Sequence, residues 1–303
     1  MGFLLQKKQY SHFMTVATPR VLPFPPQDAM PADPSLLGSI GVFDSGVGGL
    51  SVLGAIHDLL PDEDLVYVAD SGHAPYGDKP AEHIVERTLA IGLWLAGQGV
   101  RAITVACNTA TVTAVNELRR RTQVPVVAIE PAIKPATACT RTGVVGVLAT
   151  QQTLHSQSVG RLVSRFGQGV RFVWQACPAW VGQVEQGDLE GAHTLAMVER
   201  DTRPLRASGA DVWVLGCTHF PFLAGALRAC AGPDVLLLDP ARAVALELQR
   251  RLPPRLSLPR HPERRLSFLT TGPVDASQRV ISKLWGYLPS LAQKMAPAPT
   301  LEA

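Results

Sequence analysis

Cys107 and Cys217 close two apolar runs of the same design, "GVRAITVAC" over residues 99–107 and "GADVWVLGC" over 209–217. In each a Gly opens the run and the Cys stands eight residues on. Small polar residues follow, Asn108 and Thr109 in one, Thr218 and His219 in the other. A lone Cys closing a strand is ordinary packing, but two in matched settings suggest shared chemistry. Inversion of a carbon stereocentre needs such a pair: one thiolate removes the Cα proton, the opposite thiol returns a proton to the other face, and the reverse reaction swaps the roles. A thiol at the carboxyl end of a strand lies beside the next helix N-terminus. The helix dipole and free N–H groups there are expected to lower its pKa from about 8.5 toward 7 or below. Asp44 and Ser45, in "GVFDSGVGG", end a third apolar run in the same way.

The elements needed to position these residues can be read along the chain. From Ser39 short apolar runs alternate with helically spaced segments: "SIGVFD", "EDLVYVAD", "RAITVAC" and "VPVVAI" are strands, and "AEHIVERTLAIGLWLAGQG" is a long amphipathic helix. The series then restarts. "GVVGVLAT" has the layout of "GSIGVFDS", "ADVWVLGC" that of "RAITVAC", and "PDVLLLDP" that of "VPVVAIEP", so that Asp44 falls opposite Ala149 and Ser45 opposite Thr150. Continuous apolar strands alternating with helices indicate parallel sheets. The fold expected is α/β, with two pseudo-symmetric parallel-sheet domains and the active site in the cleft between them. The first domain takes residues 38–134 plus 242–290 and the second 135–241. Residues 1–37, rich in Pro from position 19 and without periodicity, read as a mobile extension, and 291–303 as a frayed tail. "RRLSFLTTG" reads as an edge strand. In open parallel sheets ligands bind beyond the carboxyl ends of the strands, where Asp44, Ser45, Cys107 and Cys217 all fall.

Composition narrows the function classes. At 46% hydrophobic and 17% charged the chain is globular rather than disordered. The net charge is only +3, and the one tight basic run, Arg119-Arg120-Arg121, reads as a solvated helix end, so no nucleic-acid partner is expected. No apolar run nears the roughly 18 residues that span a bilayer, and no apolar stretch follows Lys7 and Lys8 as in a signal peptide. No membrane partner is expected, and the cytoplasm is the expected location. The five cysteines, odd in number and without a CxxC, point to neither disulfides nor a zinc finger.

Five stretches in order resemble the glutamate racemase family: "GVFDSGVGGLSVL", "YVADSGHAPYGDK", "ACNTAT", "CPAWVGQVEQG" and "GCTHFPFL", spanning residues 40 to about 240. The resemblance implies a cofactor-independent enzyme, with neither pyridoxal phosphate nor metal, that interconverts L- and D-glutamate and supplies D-glutamate for peptidoglycan. It implies that Cys107 works on D-glutamate and Cys217 on L-glutamate, assisted by Asp44 and His219, with Glu185 a further acidic residue near the second cysteine. It implies that Asp44, Ser45, Asn108, Thr109, Thr218 and His219 bind the amino and α-carboxylate groups, and that the Tyr76-Gly77 backbone receives the side-chain carboxylate. A homodimer is implied as well. "CPAWVGQVEQG" departs from the family pattern at Ala179 and Trp180. Read without the resemblance, Asp44, Ser45 and Asn108 also suit helix caps. Three alternatives stand beside the glutamate reading: a racemase for aspartate or another acidic amino acid, a hydrolase with Cys107, Cys217 and His219 on a metal, and an amino-acid-binding protein without turnover.

Overall fold

A computed structural model describes residues 18–21, 33–254 and 265–294. Its strands form two parallel sheets. The first contains β2 (Ile40–Asp44), β3 (Leu65–Ala69), β4 (Ala102–Val105) and β5 (Val126–Ala128) in the order β3-β2-β4-β5. The second contains β6 (Val144–Ala149), β7 (Arg171–Ala176), β8 (Val212–Gly216) and β9 (Leu236–Leu238) in the order β7-β6-β8-β9. The two orders are the same, so the repeat seen in the sequence is a repeat in space. Register makes the match closer: Asp44 at the end of β2 pairs with Ala69 of β3, and Ala149 at the end of β6 pairs with Ala176 of β7. β2, β3, β4 and β8 are buried at every residue, which explains why they read as unbroken apolar runs.

Helices follow the strands and cover both sheets. In chain order they begin with α1 (Leu50–Leu59), α2 (Ala81–Gly97), α3 (Asn108–Arg121), α4 (Ile133–Cys139) and α5 (Gln151–Leu154). Next come α6 (Gln157–Phe166), α7 (Pro178–Glu185), α8 (Ala192–Ala207) and α9 (Ala224–Ala231), then α10 (Ala241–Arg251) and α11 (Val274–Lys294). Arg120 and Arg121 end α3 on the exposed carboxylate of Glu117, the solvated helix end expected of that run. No helix among the described residues is long and apolar enough to cross a membrane.

The chain ends differ from expectation. β10 (Leu266–Thr270) is not an edge strand, because β1 (Arg20–Val21), from the segment expected to stand apart, pairs with it in parallel on the side away from β3. Asp33 also docks, its N–H donating to Gln98 Oε1 at 2.6 Å, and Leu36 is buried. Backbone pairing and one apolar anchor need no sequence period, so composition alone could not reveal them. Residues 1–17 and 22–32 lie outside the described residues. At the other end α11 continues to Lys294, into the segment expected to fray, and 295–303 lie outside the described residues. α10 packs on α1, and α11 touches both α1 and α9.

Candidate active site

The carboxyl ends of the central strands of both sheets meet at one pocket. Ser45, Tyr76, Gly77, Cys107, Asn108 and Thr109 line it from the first lobe; Cys217, Thr218 and His219 line it from the second. Its free volume is about 10 Å³, on the scale of a single water.

Cys107 follows β4 and is the N-cap of α3. Its sulfur accepts the Ala110 N–H at 3.4 Å, and its thiol lies 3.4 Å from Ser45 Oγ. The helix-start effect nonetheless does not prevail. Burial, helped by the Asp44 carboxylate, pushes the thiol up to about 12 against the Ser45 and Ala110 hydrogen bonds. The lowered pKa expected from position alone is thus reversed, because one N–H does not offset loss of solvent.

The other side is built as a chain of three groups. His219 Nδ1 lies 3.6 Å from Cys217 Sγ, and Nε2 lies 2.6 Å from Glu185 Oε1. Burial opposes charge on the ring, but hydrogen bonds to Cys217 and Glu185 outweigh it and hold the imidazole well above its ordinary pKa. His219 is thus placed to exchange a proton with the thiol. Glu185 stands behind His219 at the end of α7 and also accepts the Val47 N–H of the first lobe at 2.9 Å. Trp180 is fully buried against Phe220, and its Nε1 donates to Asp201. The pocket wall from this helix is Val181.

The "SGVGG" turn is glycine-rich for a steric reason. A methyl at Gly46 would stand 2.7 Å from Glu185 Cδ, and one at Gly48 would stand 2.6 Å from His219 Cε1. The turn has to pass this close for Val47 to reach Glu185.

Asp44 also stands behind the pocket wall. It is fully buried, accepting the Gly46 N–H at 2.8 Å and the Thr218 hydroxyl at 3.0 Å across the cleft. Burial raises its carboxyl above the usual range, against the pull of His219. Asn108 is the reverse case: both Oδ1 and Nδ2 are buried without a partner. A native interior seldom leaves such groups unpaired, so this amide is suited to a polar ligand. Thr109 Oγ1 lies 3.1 Å from Thr150 Oγ1, which caps α5 and also lines the pocket. Thr150 was not among the expected site residues, although its place opposite Ser45 in the repeat was the signal for it. Among the described residues no group of three or more His, Cys, Asp or Glu is placed to hold a metal ion.

Comparison with known proteins gives the family and its fold. The family model described as Asp/Glu/Hydantoin racemase matches residues 40–248. A glutamate racemase of Methylococcus capsulatus is 50% identical over 247 residues, 81% of this chain and 91% of that one. Among solved structures, the Escherichia coli glutamate racemase in complex with L-glutamate and the activator UDP-MurNAc-ala superposes with a TM-score of 0.74 at 32% identity, covering 83% of this chain and 96% of that one. A glutamate racemase isoform from Bacillus anthracis superposes with a TM-score of 0.73 at 29% identity, covering 82% and 94%.

Proposed function

Because this chain belongs to the Asp/Glu/Hydantoin racemase family, we propose that it interconverts L- and D-glutamate by proton transfer at Cα between two cysteines. The observation that carries the reading is the presence of two thiols, Cys107 and Cys217, in equivalent positions of two like lobes and on the wall of one pocket. From D-glutamate, the Cys107 thiolate takes the Cα proton. The electron pair left on carbon delocalises into the α-carboxylate, and the Cys217 thiol delivers its proton to the opposite face, yielding L-glutamate. The enzyme is left with Cys107 protonated and Cys217 as thiolate, ready for the reverse reaction.

The electrostatics of the pocket fit this cycle. Burial favours the protonated form of Cys107. The substrate ammonium brings a positive charge beside the thiol, which favours the thiolate. Ser45, Asn108 and Thr109 supply the donors that steady charge on the α-carboxylate, each worth about 3 kcal/mol in a water-free site, while the Thr218 hydroxyl, donating to Asp44, is left to accept from the substrate ammonium. Asp44 and Glu185 act through Thr218 and His219. The Tyr76–Gly77 backbone takes the side-chain carboxylate, which distinguishes glutamate from the shorter aspartate. The D-glutamate formed serves peptidoglycan synthesis in the cytoplasm, and the working unit is a homodimer, which sedimentation would test.

The experiment is a proton NMR time course in D2O with L-glutamate, D-glutamate and L-aspartate in separate tubes, chelator present and no cofactor added. Loss of the Cα signal from both glutamates but not from aspartate is expected. Absence of exchange from all three would refute the reading.

A further inference from the structure

Tyr76 and Gly77 form one wall of the pocket, yet the Tyr76 side chain is almost fully buried and its hydroxyl serves another partner. It donates to Asp70 Oδ2 at 2.7 Å. Asp70 follows β3, is fully buried, and is gripped from the far side by Arg87 of α2, whose Nε reaches Oδ2 at 2.9 Å and Nη2 reaches Oδ1 at 2.8 Å. A third anchor comes from beyond β10. Thr271 donates its hydroxyl to Asp70 Oδ1 at 2.7 Å and accepts the Gly72 N–H at 3.1 Å. His73 Nδ1 lies 3.1 Å from the same Oδ1. Oδ1 thus has three partners and Oδ2 two. Burial alone would raise this carboxyl, but its hydrogen bonds, led by Arg87, hold it below the usual range, so it stays an ionised acceptor.

We propose that Asp70, clamped by Arg87 and tied to Thr271, is a positioning residue that fixes Tyr76 and through it the Tyr76–Gly77 wall at the substrate's side-chain end. This rests on the glutamate racemase reading. A bidentate guanidinium holds the carboxylate in one plane, and the carboxylate in turn holds the phenol. The wall lies on a short loop between β3 and α2, so its backbone needs such an anchor to present one geometry. Thr271 brings the C-terminal segment into this task, although it stands outside the pocket lining and 201 residues from Asp70.

The test uses the hydroxyls, because replacing Asp70 removes the buried carboxylate that pairs with Arg87 and can unfold the chain. Thr271→Val, Thr271→Ser and Tyr76→Phe are compared with the unaltered protein in steady-state racemisation from both enantiomers. A loosened wall weakens binding more than proton transfer. Thr271→Val and Tyr76→Phe are expected to raise KM for glutamate on the order of tenfold while kcat stays within about threefold. Thr271→Ser keeps both hydrogen bonds and is expected to restore KM. A KM unchanged in Thr271→Val and Tyr76→Phe, or a loss confined to kcat, overturns the positioning role. So does a KM in Thr271→Ser as high as in Thr271→Val. If the unaltered protein does not racemise glutamate, it is the functional reading that fails, and the two failures are thereby told apart.

Discussion

Replacing Gly48 by Ala tests whether the "SGVGG" turn sets the position of His219. The backbone there is not in the left-handed region that only glycine favours, so alanine meets no conformational penalty and the methyl itself is the perturbation. That methyl would stand 2.6 Å from His219 Cε1 and 2.7 Å from Cγ, with Nδ1 nearer still. Ordinary carbon contacts begin at about 3.5 Å, so one partner has to retreat by roughly 1 Å. The turn is held in place, since the Gly48 carbonyl accepts both the N–H and the hydroxyl of Ser51. The ring therefore moves, and Nδ1 is already 3.6 Å from Cys217 Sγ. A misplacement of about 1 Å in such a site costs on the order of a hundredfold in rate, or about 2.7 kcal/mol in the barrier. Overpacking is expected to lower stability by about 1–3 kcal/mol, which leaves a protein of this size folded. The assay is racemisation followed by circular dichroism from each enantiomer, with Cα proton exchange in D2O as a second readout and thermal unfolding as a check of folding. A folded Gly48→Ala protein with kcat/KM within about threefold of the original in both directions would refute the reasoning.

Gly160→Ala supplies the control: nothing lies within 4 Å of the added methyl in the middle of α6, and a stability gain of about 0.5–1 kcal/mol with unaltered racemisation is expected. Asn108→Ala is expected to leave the melting temperature measured without added substrate unchanged or higher, because both amide atoms it removes are unpartnered. The same change is expected to raise KM for glutamate at least tenfold, and a large loss of stability would show that the amide is structural. Asp239→Asn isolates a pH effect. Burial raises this carboxyl to about 6, partly offset by the Ala241 N–H it accepts. The folded protein thus keeps the proton up to about pH 6 while the unfolded chain releases it near 4. Stability from this group is full below about 4 and lost as pH rises to about 6. The Asn variant, which can still accept that N–H, is expected to be more stable by about 1–3 kcal/mol at pH 7 and no more stable at pH 4, as denaturant titrations at both values would show.

Much of this protein was legible in its sequence because the relevant signals are local. Strands covered on both faces must be apolar throughout, so β2, β4, β6 and β8 stand out, and repetition of the pattern revealed two like lobes. Residues that follow the carboxyl end of a strand are placed by that strand, and for this reason Ser45, Cys107, Asn108, Cys217 and Thr218 could be expected to meet in one cleft. The partners of these residues were not legible, because they come from segments far apart in the chain. Glu185 reaches Val47 across 138 positions, Thr218 reaches Asp44 across 174, and Thr271 reaches Asp70 across 201. Pairing of β1 with β10 likewise leaves no periodic mark. The acid–base character of Cys107 depended on the fold as well. A helix N-terminus beside a strand end argues for a lowered pKa, but how much solvent and which carboxylates surround the sulfur is a property of the closed cleft. Sequence order determined which groups stand at the strand ends. Only their enclosure by both lobes decided their charge, since desolvation and long-range partners exist only once the chain has folded.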